Sequence, residues 1–187
     1  EGADLIALVR EIAEKELRPR VDQVEAQAAT RDAFPREIFR MFGAAGLMSL
    51  PYPLEFGGGE QPYEVYLQVL EELSSVWMAA GLGISVHTLT CYPVASHGSP
   101  EQQDALLPDM LSGQTLGAYS LSEPQAGSDI ASMTTRARRD GTDYLISGTK
   151  SWISHAGHAD YYTTFARTSD DGGRGLSCFV VPADAAG

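Results

Sequence analysis

The chain has 187 residues, 43% hydrophobic and 20% charged, which is enough apolar content for one or two packed domains and too much for disorder. Its formal charge of -12 argues against sequence-independent attraction to nucleic acid, where phosphate contacts need clustered cations. No apolar run approaches the length of a membrane span, and residues 1–4 lack the features of a secretory signal, so a soluble cytoplasmic protein is expected, with neither nucleic-acid nor membrane partners.

The charge is unevenly spread. Residues 1–112 carry 17 acidic and 7 basic side chains, against 8 and 6 in residues 113–187. The second part is the better host for an anionic ligand, although exposed Glu-rich helices alone would give the same imbalance. Cys91 and Cys178 lie far apart and form no close-spaced motif, which leaves a disulfide framework or structural zinc without support. His155, His158 and Asp160 are near neighbours, but nothing completes a ligand set, so no metal is expected.

Up to Ser112 the apolar residues recur at helical spacing: Leu5, Val9 and Ile12, then Leu17, Val21 and Val24, and later Tyr66, Val69, Leu70, Leu73 and Trp77. Pro19 should kink or split the first pattern, and Pro62 suits the first turn of a helix. Ser99-Pro100-Glu101-Gln102 has the capping hydroxyl, first-turn proline and reciprocal Gln of a capping box, and Gly113 is placed to stop that helix.

After Gly113 the periodicity changes to short β-branched and aromatic runs divided by glycine punctuation. Asp140-Gly141 between residues 134–138 and 142–146 reads as a hairpin with a type I′ turn. Tyr161–Arg167 and residues 176–181 are further strands, joined across a glycine-rich loop that holds Arg174. The domain boundary is expected between Gly113 and Leu116, giving domains 1–113 and 114–187.

Residues 118–129, Ala-Tyr-Ser-Leu-Ser-Glu-Pro-Gln-Ala-Gly-Ser-Asp, form a strand running into a tight loop of small and hydroxylated residues. Gly127 allows close approach to a ligand, Ser122 and Ser128 supply hydroxyl donors, and Pro124 stiffens the turn. By composition alone a surface turn, with Ser122 and Gln125 as one more capping box, is the favoured reading.

Ser122-Glu123-Pro124 with Ala126-Gly127-Ser128-Asp129, followed at the right distance by Ser147-Gly148-Thr149-Lys150-Ser151-Trp152-Ile153-Ser154, resembles the two flavin blocks of the acyl-CoA dehydrogenase family. Serine stands at 122 and 154 where the family has threonine, and His155 stands where it commonly has asparagine. Softer matches extend from residues 34–39 to Cys178-Phe179-Val180-Val181, covering essentially the whole sequence.

The resemblance implies an α+β fold: an amino-terminal all-α bundle, then an incomplete antiparallel β-sandwich or barrel-like domain, with the family's carboxy-terminal helical bundle absent. It implies FAD as cofactor. Tyr119, Ser120, Leu121 and Ser122 would line the flavin, Trp152 would stack on it, and Ile153 and Ser154 would complete the wall, with the Ser154 hydroxyl near N5. Gly127 and Ser128 would face cofactor and coenzyme A. Arg174 would meet a coenzyme A phosphate, although a solvated loop arginine is the plainer reading. His87, with Ile84, Thr88 and Thr90, would border the acyl tail; read from composition, it is a polar position near the core.

The implied reaction takes the α-hydrogen of an acyl-CoA as a proton and the β-hydrogen as hydride to flavin N5, giving a trans-2-enoyl-CoA. Electrons would pass to an electron-transfer flavoprotein, and the subunits would form a homo-oligomer, a dimer or a tetramer. In the family the base is usually a glutamate of the carboxy-terminal domain, so no catalytic residue is assigned here; Glu123 would have a structural role in its loop. Starting without Met at Glu1 and ending at Gly187, the sequence reads as a fragment. An acyl-CoA oxidase or flavin monooxygenase of the same fold, or a non-catalytic acyl-CoA-binding subunit, are the competing readings.

Overall fold

The computed structural model describes residues 2–28 and 34–186; Glu1 and Gly187, cited above, lie outside them. It divides into two compact units, Glu1–Thr115 and Leu116–Gly187.

The first unit is helical. Helix α1 (Gly2–Ile12) passes through a π-helical turn, Ala13–Leu17, into α2 (Arg18–Ala28), where the Arg18 amide reaches back to Ala13 O. Pro19 is the reason. Lacking an N–H and clashing with the carbonyl four residues back, it cannot continue a regular helix, and the wider turn absorbs it without a break. Then come α3 (Arg36–Ala44), α4 (Tyr63–Val76), α5 (Met78–His97) and α6 (Pro100–Leu111). Pro62 is the residue just before α4, with extended backbone.

The apolar spacing buries one face: α1 packs on α4, and α5 lies between α4 and α6. Val9, Leu17, Phe42, Tyr66, Val69, Leu73, Ile84 and Leu107 are fully sealed. Each contributes about 1.5–3 kcal/mol of apolar burial. Helix α6 starts on the expected capping box, with Gln102 N donating to Ser99 Oγ at 3.3 Å and Ser99 N donating to Gln102 Oε1 at 2.9 Å. It ends on Gly113, whose φ of +71° suits the left-handed residue that closes a helix.

His87 departs from its expected place beside a substrate. It is completely buried, with Nε2 2.7 Å from Met110 O, one of the last carbonyls of α6. The His87 ring joins α5 to the last turn of α6, sharing Met110 O with the Gly113 amide, which donates to it at 3.2 Å.

The second unit is a five-stranded mixed sheet: β1 (Gly117–Ser120), β2 (Arg136–Asp140), β3 (Asp143–Ser147), β4 (Tyr161–Arg167) and β5 (Leu176–Pro182). The α+β order is as expected, but the sheet is not wholly antiparallel. β1 pairs parallel with β4 in the register Gly117↔Tyr161, and a parallel bridge joins Arg136 to Arg167, while β2/β3 and β4/β5 are antiparallel. Glycine punctuation reveals local hairpins only, and β1 finds its partner some forty residues later. The β2/β3 turn also sits one residue later than expected. Asp140 pairs with Asp143, so Gly141 and Thr142 are central; of these only Gly141 has positive φ, +62°, the pattern of a type II′ turn.

Replacing Ser99 by Ala should remove one half of the capping box and cost about 1 kcal/mol of unfolding free energy. Denaturant melts of wild type and S99A check this, and coincident curves would contradict it.

Candidate functional site

A parallel strand pair needs a crossover connection, and here it runs over residues 121–160. The two sequence blocks are its two ends. The first leaves β1 and turns back at once: Glu123 N donates to Ala126 O at 2.7 Å, and Ala126 N to Glu123 O at 3.2 Å, around Pro124-Gln125. The second block then runs back along β1. Ser151 N donates to Ser122 O at 2.9 Å, His155 Nδ1 lies 2.8 Å from Gly117 O, and Asp160 N donates to Leu116 O at 2.8 Å.

Glu123 holds the ends together. Its side chain is 1% exposed and receives Thr134 N at 2.7 Å, Thr135 N at 2.9 Å, Thr134 Oγ1 at 2.9 Å, Gln125 Nε2 at 2.6 Å and Lys150 Nζ at 3.0 Å. This fills the acceptor capacity of a carboxylate. Lys150, 12% exposed, also donates to Leu121 O at 2.9 Å, and its Nζ lies 3.3 Å from Met133 Sδ. Removing one partner of so buried a pair costs about 3–5 kcal/mol.

Burial opposes ionisation of Glu123, but the hydrogen bonds from Thr135, Thr134 and Lys150 outweigh it and hold the carboxyl well below the usual carboxylate range. Burial likewise draws the Lys150 ammonium below its ordinary value, with Glu123 opposing the shift.

Against this fixed base stands one outlying residue. Trp152 is 94% exposed and has φ +62°. A left-handed backbone costs a bulky residue about 1–3 kcal/mol, and an indole left in water forgoes about 5 kcal/mol of burial. His155, at φ +67°, carries the same strain three residues on.

The residues expected to form the wall are placed as follows. Leu121 and Ser122 are half-buried and adjoin Trp152 through the Ser151–Ser122 hydrogen bond, and Ile153 and Ser154 follow, also half-buried. Tyr119 is half-buried with its ring 5.3 Å from that of Phe165. Ser120 departs from the expectation: its side chain is buried, because successive residues of a strand point to opposite faces. Gly127 and Ser128 are exposed on the loop after the turn.

Arg174 is 87% exposed and paired with Asp171 at 3.2 Å. Its turn, Gly172–Gly175, packs beside Ile130–Ser132, just after the first block. The arginine that shapes this region is one the sequence reading passed over. Buried Arg167 donates to Ala131 O at 2.7 Å, Met133 O at 3.1 Å, Gly172 O at 2.8 Å and Ser169 O at 3.3 Å, clamping the two loops. Lys150 was visible only as a motif residue; a lone Lys in a half-apolar run before Trp152 was its one signal. Among the described residues, no group of His, Cys, Asp and Glu is arranged to hold a metal, and no helix is long and apolar enough to cross a membrane.

Because folding depresses the Glu123 pKa, its contribution to stability is fully present above the ordinary value of about 4.5 and is withdrawn as pH falls through the folded value. Glu123→Gln should therefore be less stable than wild type at pH 7, with the gap narrowing at pH 3. Urea unfolding at both pH values measures this, and a gap of equal size would contradict it.

Residues 1–114 match the family "Acyl-CoA dehydrogenase, N-terminal domain", and residues 118–187 match "Acyl-CoA dehydrogenase, middle domain". An acyl-CoA dehydrogenase of Bacillus subtilis is 38% identical over 176 residues, 93% of this chain and 45% of that protein. A cyclohexane-1-carbonyl-CoA dehydrogenase of Geobacter metallireducens is 36% identical over 183 residues, 97% of this chain and 48% of that protein. The crystal structure of a glutaryl-CoA dehydrogenase from Mycobacterium smegmatis in complex with FADH2 superposes with a TM-score of 0.88 at 33% identity, covering 98% of this chain and 45% of that one. The chain thus spans about half the length of the relatives it matches, and over that span it belongs to the acyl-CoA dehydrogenase family.

Proposed function

We propose that this chain supplies the flavin wall of an FAD-dependent acyl-CoA dehydrogenase, which converts an acyl-CoA thioester to a trans-2-enoyl-CoA. The observation that carries the reading is Trp152, exposed and strained on a loop that a buried ion pair fixes beside Ser122. The relatives named for acyl-CoA substrates and the family member solved with FADH2 support it.

The residues suit a flavin. Trp152 offers a flat apolar face, and the Ser122 amide and hydroxyl have no partner among the described residues, which leaves two donors for the polar edge of the ring. Such donors stabilise negative charge where it develops. The Ser154 hydroxyl would donate from the neighbouring loop, with Tyr119, Leu121 and Ile153 as the apolar surround. Bound there, the flavin supplies a hydride acceptor for the β-hydrogen of the substrate. Exposed Gly127 and Ser128 would take the pantetheine or phosphate portion of coenzyme A, and Arg174 a phosphate, exchanging its exposed Asp171 pairing for a bidentate one.

Glu123 is excluded as the base for the α-proton. Its carboxylate is buried, ionised and already shared among five donors. We assign no base to this chain. An electron-transfer flavoprotein as electron acceptor and a homo-oligomeric assembly complete the proposal.

Anaerobic addition of a panel of acyl-CoA esters to the full-length protein should bleach the flavin with at least one of them. Bleaching by none would contradict the reading, and rapid reoxidation by dioxygen in the presence of product would move it to an acyl-CoA oxidase. Ser154→Ala should slow flavin reduction about tenfold, the worth of one hydrogen bond to developing charge. Stopped-flow reduction at wild-type rates would remove Ser154 from the wall.

A further inference from the structure

The backbone around Ser122 is almost fully committed. Four main-chain groups flank its side chain: the carbonyls of Leu121 and Ser122 and the amides of Ser122 and Glu123. Leu121 O accepts from Lys150 Nζ at 2.9 Å, Ser122 O accepts from Ser151 N at 2.9 Å, and Glu123 N donates to Ala126 O at 2.7 Å. The Ser122 amide alone has no acceptor among the described residues.

In a planar trans peptide the carbonyl and the following N–H point in opposite directions. A Lys150 ammonium fixed on Leu121 O therefore aims the Ser122 N–H the other way. It also polarises the shared peptide, which makes that N–H a stronger donor. Lys150 in turn is held by Glu123 at 3.0 Å, and Glu123 is anchored by the Thr134 and Thr135 amides.

We propose that Lys150 is a positioning residue for the flavin, aiming and strengthening the Ser122 N–H through the Leu121 carbonyl, with Glu123 as its anchor. The inference rests on the flavin reading above and extends it to two side chains buried behind the wall. It requires that losing the Lys150 charge weaken flavin binding and disfavour the reduced ring, whose negative charge the Ser122 N–H meets.

The test uses the full-length protein. Flavin uptake by wild type is measured first; a wild-type protein that takes up none fails the functional reading itself. Lys150→Met alone leaves the Glu123 carboxylate buried without its cation, so it lowers stability for a trivial reason. The paired variant Glu123→Gln/Lys150→Met carries neither charge. It should recover much of the melting temperature lost in Lys150→Met, yet bind FAD about tenfold more weakly than wild type. Its flavin midpoint potential should fall, and the bound-flavin absorption spectrum should shift. Wild-type affinity and potential in the paired variant would overturn the proposal, leaving the ion pair a structural strut. A paired variant that does not fold would also count against it, because the two charges would then be holding the sheet rather than the flavin edge.

Discussion

A carboxylate sealed from water must be met by donors, and around Glu123 that requirement fixes three stretches of chain. The Thr134 and Thr135 amides, the Gln125 amide and the Lys150 ammonium all converge on it. None of the three stretches can shift without leaving a charge or a polar group uncompensated in a dry interior. The loop after β1, the approach to β2 and the start of the second block therefore move as one body. Half-buried Ser122 and exposed Trp152, in front of it, inherit its rigidity.

The sheet provides the frame for this arrangement. Parallel pairing of β1 with β4 forces a long excursion between them, and the excursion returns along β1, so segments thirty residues apart in sequence become neighbours. Arg167 closes the other end by bonding four carbonyls from two loops. Backbone strain is then tolerable at Trp152 and His155, because the surroundings over-determine their conformation. Polar bonding holds the base, and the exposed indole of Trp152 stands in front of it.

Features set by a few neighbouring residues were legible in the sequence. The Ser99/Gln102 capping box, the helix stop at Gly113 and the β4 and β5 spans depend on local spacing and chemistry, and each stands where that spacing put it. Partner choice between distant segments was not legible. Nothing in the sequence near Gly117 announces a parallel partner at Tyr161, and the alternation that buries Ser120 while leaving Tyr119 half-exposed follows only once β1 is laid in the sheet. The resemblance alone put His87 beside the acyl tail, whereas composition made it a polar position near the core; the Met110 carbonyl that it meets lies 23 residues away. Arg167 was missed and the role of Lys150 went unseen because backbone carbonyls, which carry no sequence signature, are among their partners.

The central claim is that the Trp152 loop is built for a ligand and not for the fold. Trp152→Ala separates the two most directly, because an indole 94% exposed has little to lose from the folded state. The account predicts an unchanged melting temperature for the flavin-free protein and an FAD affinity about tenfold lower or worse. A protein that melts earlier without flavin, yet binds FAD as tightly as wild type, would contradict it.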